Sequence, residues 1–244
     1  MGFSSEFKMF FDEIKAFCDF HHNKEIWFRG QTCDKPLNSG LFRIDQLKEI
    51  EDKKNYEETA YRRFISLGHP FLNGEKDWEL LFIMQHHGVK TRLLDWSPSL
   101  LTALFFATQK NEAPVLWMLH PRKLNKKCAG EYTVFSMPMI VSYERYIMTP
   151  NRLSFGTAAI FPTRNTTRQV IQQGVFTVQG DGNIPLEEEC NGALIRESIL
   201  KKIEIPESLF EEIRYFLKLN NITQFTMYPD LDGLSNHIHD AYLE

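Results

Sequence analysis

The most chemically varied stretch of the chain runs from Met84 to Thr108, MQHHGVKTRLLDWSPSLLTALFFAT. Its second half predicts a buried helix: Ser97 suits the N-cap, Pro98 the first helical position, and Leu100 to Ala107 is apolar on nearly every side. Its first half brings Gln85, His86, Thr91, Arg92, Asp95 and Trp96 up to that helix start, where free backbone N–H groups and the helix dipole favour an anion. Two readings fit these residue types. Arg92 and Asp95 form a structural ion pair with Trp96 in the core, or the polar ring is a ligand site. Arg29, between Phe28 and Gly30 in EIWFRG, has the same ambiguity: it anchors a carboxylate, or it offers its planar fork to a phosphate or ribose. Gln31 opens a polar loop that returns through Leu41 and Phe42 to Arg43. Further on, Arg164, Arg168, Gln172 and Gln173 precede Gly174 and Phe176, a polar group that either satisfies backbone or faces a ligand.

The elements that must position these groups can be read from periodicity. Ser4 to Phe20 is a helix with Phe7, Phe10, Phe11, Ile14, Phe17 and Cys18 on one face, a stripe expected in the core. Glu25 to Gly30 is an inner strand ended by its glycine. Asp45 to Leu67 is a charged helical region burying Leu47, Ile50, Tyr56, Ala60, Phe64 and Leu67, with its charges on a solvated face. Asp77 caps a helix over Trp78 to His87, ended by Gly88. Strands are expected at Pro114 to His120, Tyr132 to Met137, Ala158 to Pro162 and Val175 to Gln179. The acidic run Glu187 to Glu189 falls in a solvent-facing loop, Ala193 to Ile205 reads as an edge strand or hairpin arm, and Pro206 to Lys218 as a helix. A turn and short helix close the chain. With no internal repeat or low-complexity linker, this mixture predicts one α+β domain.

Composition narrows the function classes. In 244 residues, 43% hydrophobic and 25% charged, there is room for a substantial core, and the net charge of -4 argues against binding nucleic acid by bulk electrostatics. The four cysteines, Cys18, Cys33, Cys128 and Cys190, make no CxxC pair and suggest neither a zinc site nor a disulfide framework. Adjacent His86 and His87 lack metal-ligand spacing, and Asp230 and Asp232 lack that of a calcium loop, so no metal is expected. The phosphate-binding, dinucleotide, serine-hydrolase and zinc-protease motifs are missing from the sequence. Its start carries no secretory pattern, position 6 is Glu where a myristoylation motif needs Ser or Thr, and no apolar run is long enough to span a bilayer. A cytoplasmic protein without membrane contact is the expectation.

The runs WFRGQ (Trp27 to Gln31), LFR (Leu41 to Arg43), MQHHGVKTRLLDWSPSLLTALFFA (Met84 to Ala107), QQGVFTV (Gln172 to Val178) and MYPDLDGL (Met227 to Leu234) together resemble the FRG-domain family, named for its Phe-Arg-Gly motif. Residues 1–244 then form a single FRG domain, with an N-terminal amphipathic helix over 1–22 and a catalytic-type core over 23–244. The order of the motifs is similar to that of the ADP-ribosyltransferase fold, a split, mostly antiparallel sheet that grips NAD. The resemblance implies Arg29 at a first strand end, Asp95, Trp96 and Ser97 leading into a helix, and QQGVF on a third strand. Gln172, Gln173 and Gly174 stand where that fold carries a glutamate. In consequence Asp95 is the expected acid, Gln173 the ribose clamp, Arg29 a ligand of ribose or pyrophosphate, Arg92 of a phosphate, and Trp96 a stacking platform. Phe28, Gly30, Gln31, Arg43, Gln85, His86, Thr91, Ser97 and Gln172 complete the expected NAD pocket. The implied activity is transfer of ADP-ribose from NAD to a macromolecule, nucleic acid (RNA among them) or protein, by a bacterial toxin or antiphage effector with a neutralising antitoxin. A binding module without chemistry and an NAD glycohydrolase are the alternatives.

Overall fold

A computed structural model describes residues 2–110, 112–140, 142–148, 156–163 and 170–243. Arg164 and Arg168, two of the polar group ahead of Gly174, lie outside the described residues. Among the described residues, six strands form two antiparallel sheets. The first contains β1 (Trp27–Gln31), β3 (Val115–Leu119) and β6 (Leu200–Glu204), with β3 central. The second contains β2 (Leu93–Trp96), β4 (Ala158–Ile160) and β5 (Val175–Val178), with β5 central. The fold is α+β, as the sequence predicts.

The sheets stack face to face because the inward side of each is apolar, and β3 and β5 are buried on both faces. Trp27, Trp117 and Leu119 of one sheet meet Leu94, Trp96, Ala159 and Val175 of the other in a shared core. The outer face of the first sheet, with Phe28, Leu116, Met118 and Ile203, is covered by α1 (Ser5–Phe20), α4 (Leu100–Ala107) and α8 (Phe210–Leu219). The outer face of the second, with Leu93, Ile160, Phe176 and Val178, is covered by α2 (Ile50–Gly68), α3 (Asp77–His86) and α6 (Tyr143–Met148). Between α4 and α6 lies α5 (Pro121–Ala129); α7 (Glu189–Arg196) precedes β6, and α9 (Gln224–Met227) and α10 (Leu231–Leu243) follow α8. The phenylalanine stripe of α1 is core, with Phe7, Phe10, Ile14 and Phe17 buried and Ser4 capping Phe7 N–H.

Several local expectations are corrected. The cap of α4 is Ser99, whose Oγ accepts from Thr102 N–H, so the helix opens two residues later than a Ser97 cap would allow. The buried face of α2 is Lys53, Glu57 and Tyr61 rather than its apolar stripe, because Arg92 and the Phe42 carbonyl supply partners for the two charges. Residues 193–205 are not one extended arm: α7 ends at Arg196 before β6 begins at Leu200. In Tyr132 to Met137 only Phe135 makes a β-bridge, to Ile160. The acidic run is not a solvated loop. Glu189 is buried and accepts from Thr157 N–H, and Glu187 accepts from Leu37 N–H, burial raising the pKa of Glu187. Cys128 and Cys190, distant in sequence, have their sulfurs 3.5 Å apart.

Candidate functional site

The two sheets touch edge to edge at one place. Phe28 on β1 and Ser97 just after β2 exchange both backbone hydrogen bonds, at 2.7 and 2.9 Å. Continuing that register would pair Gly30 with Asp95. There the strands have parted, and Arg29 Nη1 donates to the Asp95 carbonyl at 2.6 Å in place of a backbone rung. On the other side of β1, Gly30 lies directly under α4. A Cβ there would meet the Ala103 carbonyl oxygen at 1.8 Å, so only glycine lets helix and strand approach so closely. The glycine of WFRGQ is thus a packing glycine that fixes Arg29 at the seam.

Beyond the seam opens a cleft of about 490 Å³. Its walls carry Phe28, Arg29, Gly30, Gln31 and Arg43 from the first sheet and its following loop, Gln85 and His86 from α3, Asp95, Trp96 and Ser97 from β2, and Gln172 from the approach to β5. These residues come from distant parts of the sequence, and the topology brings them together. Asp95 is exposed within the cleft, and its Oδ2 accepts from Gln85 Nε2 at 2.9 Å. Gln85 Oε1 in turn accepts from Thr91 Oγ1 at 2.7 Å. Ser97 Oγ donates to the Gln172 carbonyl at 2.8 Å, and Gln172 Nε2 donates to the Met227 carbonyl at 3.0 Å, which joins the third motif to both its neighbours.

Three of the expected pocket residues lie outside the cleft. Arg92 is 2% exposed and makes a bidentate pair with Glu57, both contacts at 2.5 Å. Its Nη1 also donates to the Gln179 carbonyl, and its guanidinium lies over the Tyr146 ring. Arg92 is therefore a core arginine, closed to any phosphate; the ion pair is real, but its acid is Glu57 and not Asp95. Thr91 is buried behind Gln85. Gln173 has a positive φ of 50° and an exposed side chain away from the cleft, so the ribose-clamp role does not fit it; Gln172 is the member of the doublet at the wall. Two others line the cleft with their polar atoms already engaged. Trp96 Nε1 donates to Thr177 Oγ1 and the ring is 3% exposed, and Gln31 Oε1 accepts from Trp117 Nε1.

The wall also includes Cys33, Lys35, Phe82, Thr102, Phe106 and Phe176, which sequence reasoning had not placed in the pocket. Lys35 follows the Arg29 strand closely enough that its presence in the loop could have been weighed; the others are core-type residues whose visible edge only the packing defines. Electrostatically the cleft is unlike the surface of an acidic chain. Arg29, Lys35 and Arg43 face a single carboxylate, Asp95, among its described lining residues. Burial lowers the Arg29 pKa to about 10 and the Asp95 charge acts in the opposite sense, so the guanidinium remains a cation at neutral pH. Its Nε is buried without a hydrogen-bond partner, while the residue itself lines the cleft. Among the described residues no group of three or more His, Cys, Asp or Glu side chains could hold a metal ion. No helix among them is long and apolar enough to cross a membrane.

The described residues thus form an α+β arrangement of two three-stranded sheets with a cationic cleft at their seam. Residues 24–115 match the family model of the FRG domain. The match runs from just ahead of β1 to the first residue of β3, and so includes Arg29, Arg43, Gln85, Asp95 and Ser97. Gln172 and the strands that complete both sheets lie beyond it. No curated protein and no solved structure matches the chain.

Proposed function

We propose that the cleft binds NAD and that the protein transfers ADP-ribose from it to a macromolecular acceptor, nucleic acid or protein. The observation that carries this reading is the convergence of Arg29, Arg43 and Lys35 with one exposed carboxylate, Asp95, at the parting of two antiparallel sheets. Cations with open donors suit a diphosphate. A carboxylate close to them suits the ribose, where positive charge develops as the bond to nicotinamide breaks. In the reaction nicotinamide leaves with the electron pair of the C1′–N bond, the acceptor nucleophile bonds to C1′, and the acceptor proton passes to solvent or to Asp95. Asp95 would stabilise the oxocarbenium-like ribose, and the Arg29 guanidinium would hold ribose or pyrophosphate. Gln172 takes the place proposed for the ribose contact in the third motif.

The test is incubation with radiolabelled NAD and a crude cell extract, followed by separate nuclease and protease digestion of the labelled material. Label that survives one digestion and not the other supports the transferase and identifies the acceptor class. Free ADP-ribose without labelled macromolecule means that water is the acceptor. A second reading rests on one observation: the third motif presents Gln172, with its amide engaged by Met227, where a carboxylate would do chemistry. Calorimetric binding of NAD with no nicotinamide released would select a nucleotide-binding module instead.

A further inference from the structure

Thr91 does not reach the cleft, yet it stands at the head of a hydrogen-bond chain that ends on Asp95. The Leu93 backbone N–H donates to Thr91 Oγ1 at 3.1 Å. That bond takes one lone pair of the oxygen and leaves the hydroxyl proton for Gln85 Oε1, at 2.7 Å. A side-chain amide can lie either way round, and a donor fixed on one side decides which. With Oε1 held by the Thr91 proton, the Gln85 amide must present Nε2 to Asp95, and it does so at 2.9 Å on Oδ2. The chain begins and ends on β2, so its direction is set by the strand's own backbone. One carboxylate oxygen of Asp95 is thereby anchored.

We infer that Thr91 is a positioning residue: through the orientation of the Gln85 amide it aims the Asp95 carboxylate into the cleft. The inference rests on the proposed reading of Asp95 as the acid at the ribose. It assigns Thr91 and Gln85 to Asp95 rather than to NAD itself. Thr91→Val keeps the shape and removes the hydroxyl, after which Gln85 Oε1 has lost its donor and the amide, tethered only through Nε2, can swing and carry the Asp95 carboxylate with it. Thr91→Ser keeps the hydroxyl.

The experiment combines nicotinamide-release kinetics with NMR of the protein labelled with 15N in glutamine side chains, using wild type, Thr91→Val, Thr91→Ser and Asp95→Asn. Thr91→Val is expected to lower kcat by about 10- to 100-fold while KM for NAD stays within about threefold, the mark of a misaimed group rather than a lost contact. Thr91→Ser should return kcat to within about threefold of wild type. In the Asp95→Asn background Thr91→Val should add nothing. The Gln85 amide protons should give a resolved, slowly exchanging pair in wild type and Thr91→Ser and a broadened one in Thr91→Val. Unchanged kcat in Thr91→Val, a rise in KM that accounts for the whole loss, additivity with Asp95→Asn, or an unaltered Gln85 signal would each overturn the inference. If wild type binds NAD but releases no nicotinamide, the transferase reading fails by itself. The Gln85 signals then decide whether Thr91 sets the amide.

Discussion

Arg29 and Arg92 look alike in the sequence, each an arginine beside apolar residues near a strand, and the fold gives them opposite tasks. Arg92 is closed in the core with Glu57, and its pKa is raised well above the ordinary value, the Glu57 charge and hydrogen bond outweighing the burial that opposes them. Removing one partner strands the other, so Glu57→Gln or Arg92→Met should cost about 3–5 kcal/mol in urea denaturation. No periodicity could reveal this, because Glu57 belongs to a helix face whose charges read as solvated. Asp95→Asn is the complementary case, an exposed side chain whose loss should leave the urea midpoint almost unchanged and lower nicotinamide release by about 100-fold or more. His120 adds a pH dependence. Burial, then the neighbouring His21 and Lys123, lowers its pKa to about 4, and Nδ1 must stay unprotonated to accept from Lys123 N–H at the start of α5. The charged form is therefore favoured in the unfolded chain. The associated stability is complete above an unfolded pKa of about 6.5 and is lost as pH falls toward the folded value, about 2 kcal/mol between pH 7 and pH 5. Thermal denaturation across that range should show the loss, and His120→Asn, which keeps a capping side chain, should reduce it while His21 continues to contribute.

Elements were legible wherever a pattern of the chain decided them. The phenylalanine stripe predicted α1, the apolar runs predicted β1 and β3, and Gly88 marks the end of α3, with a φ of +84°. Where tertiary partners decided, the sequence misled. The buried side of α2 follows Arg92 and Phe42, and the start of α4 moved to Ser99 because Ser97 is engaged with β1 and Gln172. β1 and α4 together form the most exacting contact between elements. Gly30→Ala would push the helix off the strand by its backbone, where no side chain can yield, and should destabilise the protein by about 3 kcal/mol or more in chemical denaturation. The same variant should weaken NAD binding without touching the ligand, because Arg29 moves with the strand.

At the scale of the whole molecule, the site is a product of topology. Its residues could be nominated from three motifs, since arginine, aspartate and glutamine near strand ends are unusual enough to notice. Their sorting could not be read, because it depends on which side of each strand faces the seam: Gln172 faces it, whereas the left-handed backbone at Gln173 turns that side chain away. The FRG-domain match covers the arginine and the aspartate but neither complete sheet, so the matched span acquires its cleft only with the strands that follow it. The two sheets meet edge to edge through a single rung, Phe28 with Ser97, reinforced by Arg29 on the Asp95 carbonyl. Such a joint behaves as a jaw hinged on the shared core: parting its edge breaks few backbone hydrogen bonds while the core of Trp27, Trp117, Leu94 and Trp96 stays closed, whereas separating strands inside either sheet breaks a ladder. Amide exchange at Phe28 and Ser97 should therefore be faster than in the central strands of the free protein, and should slow together when a ligand spans the jaw, which makes those two amides a local gauge of occupancy even for a ligand whose chemistry is unknown.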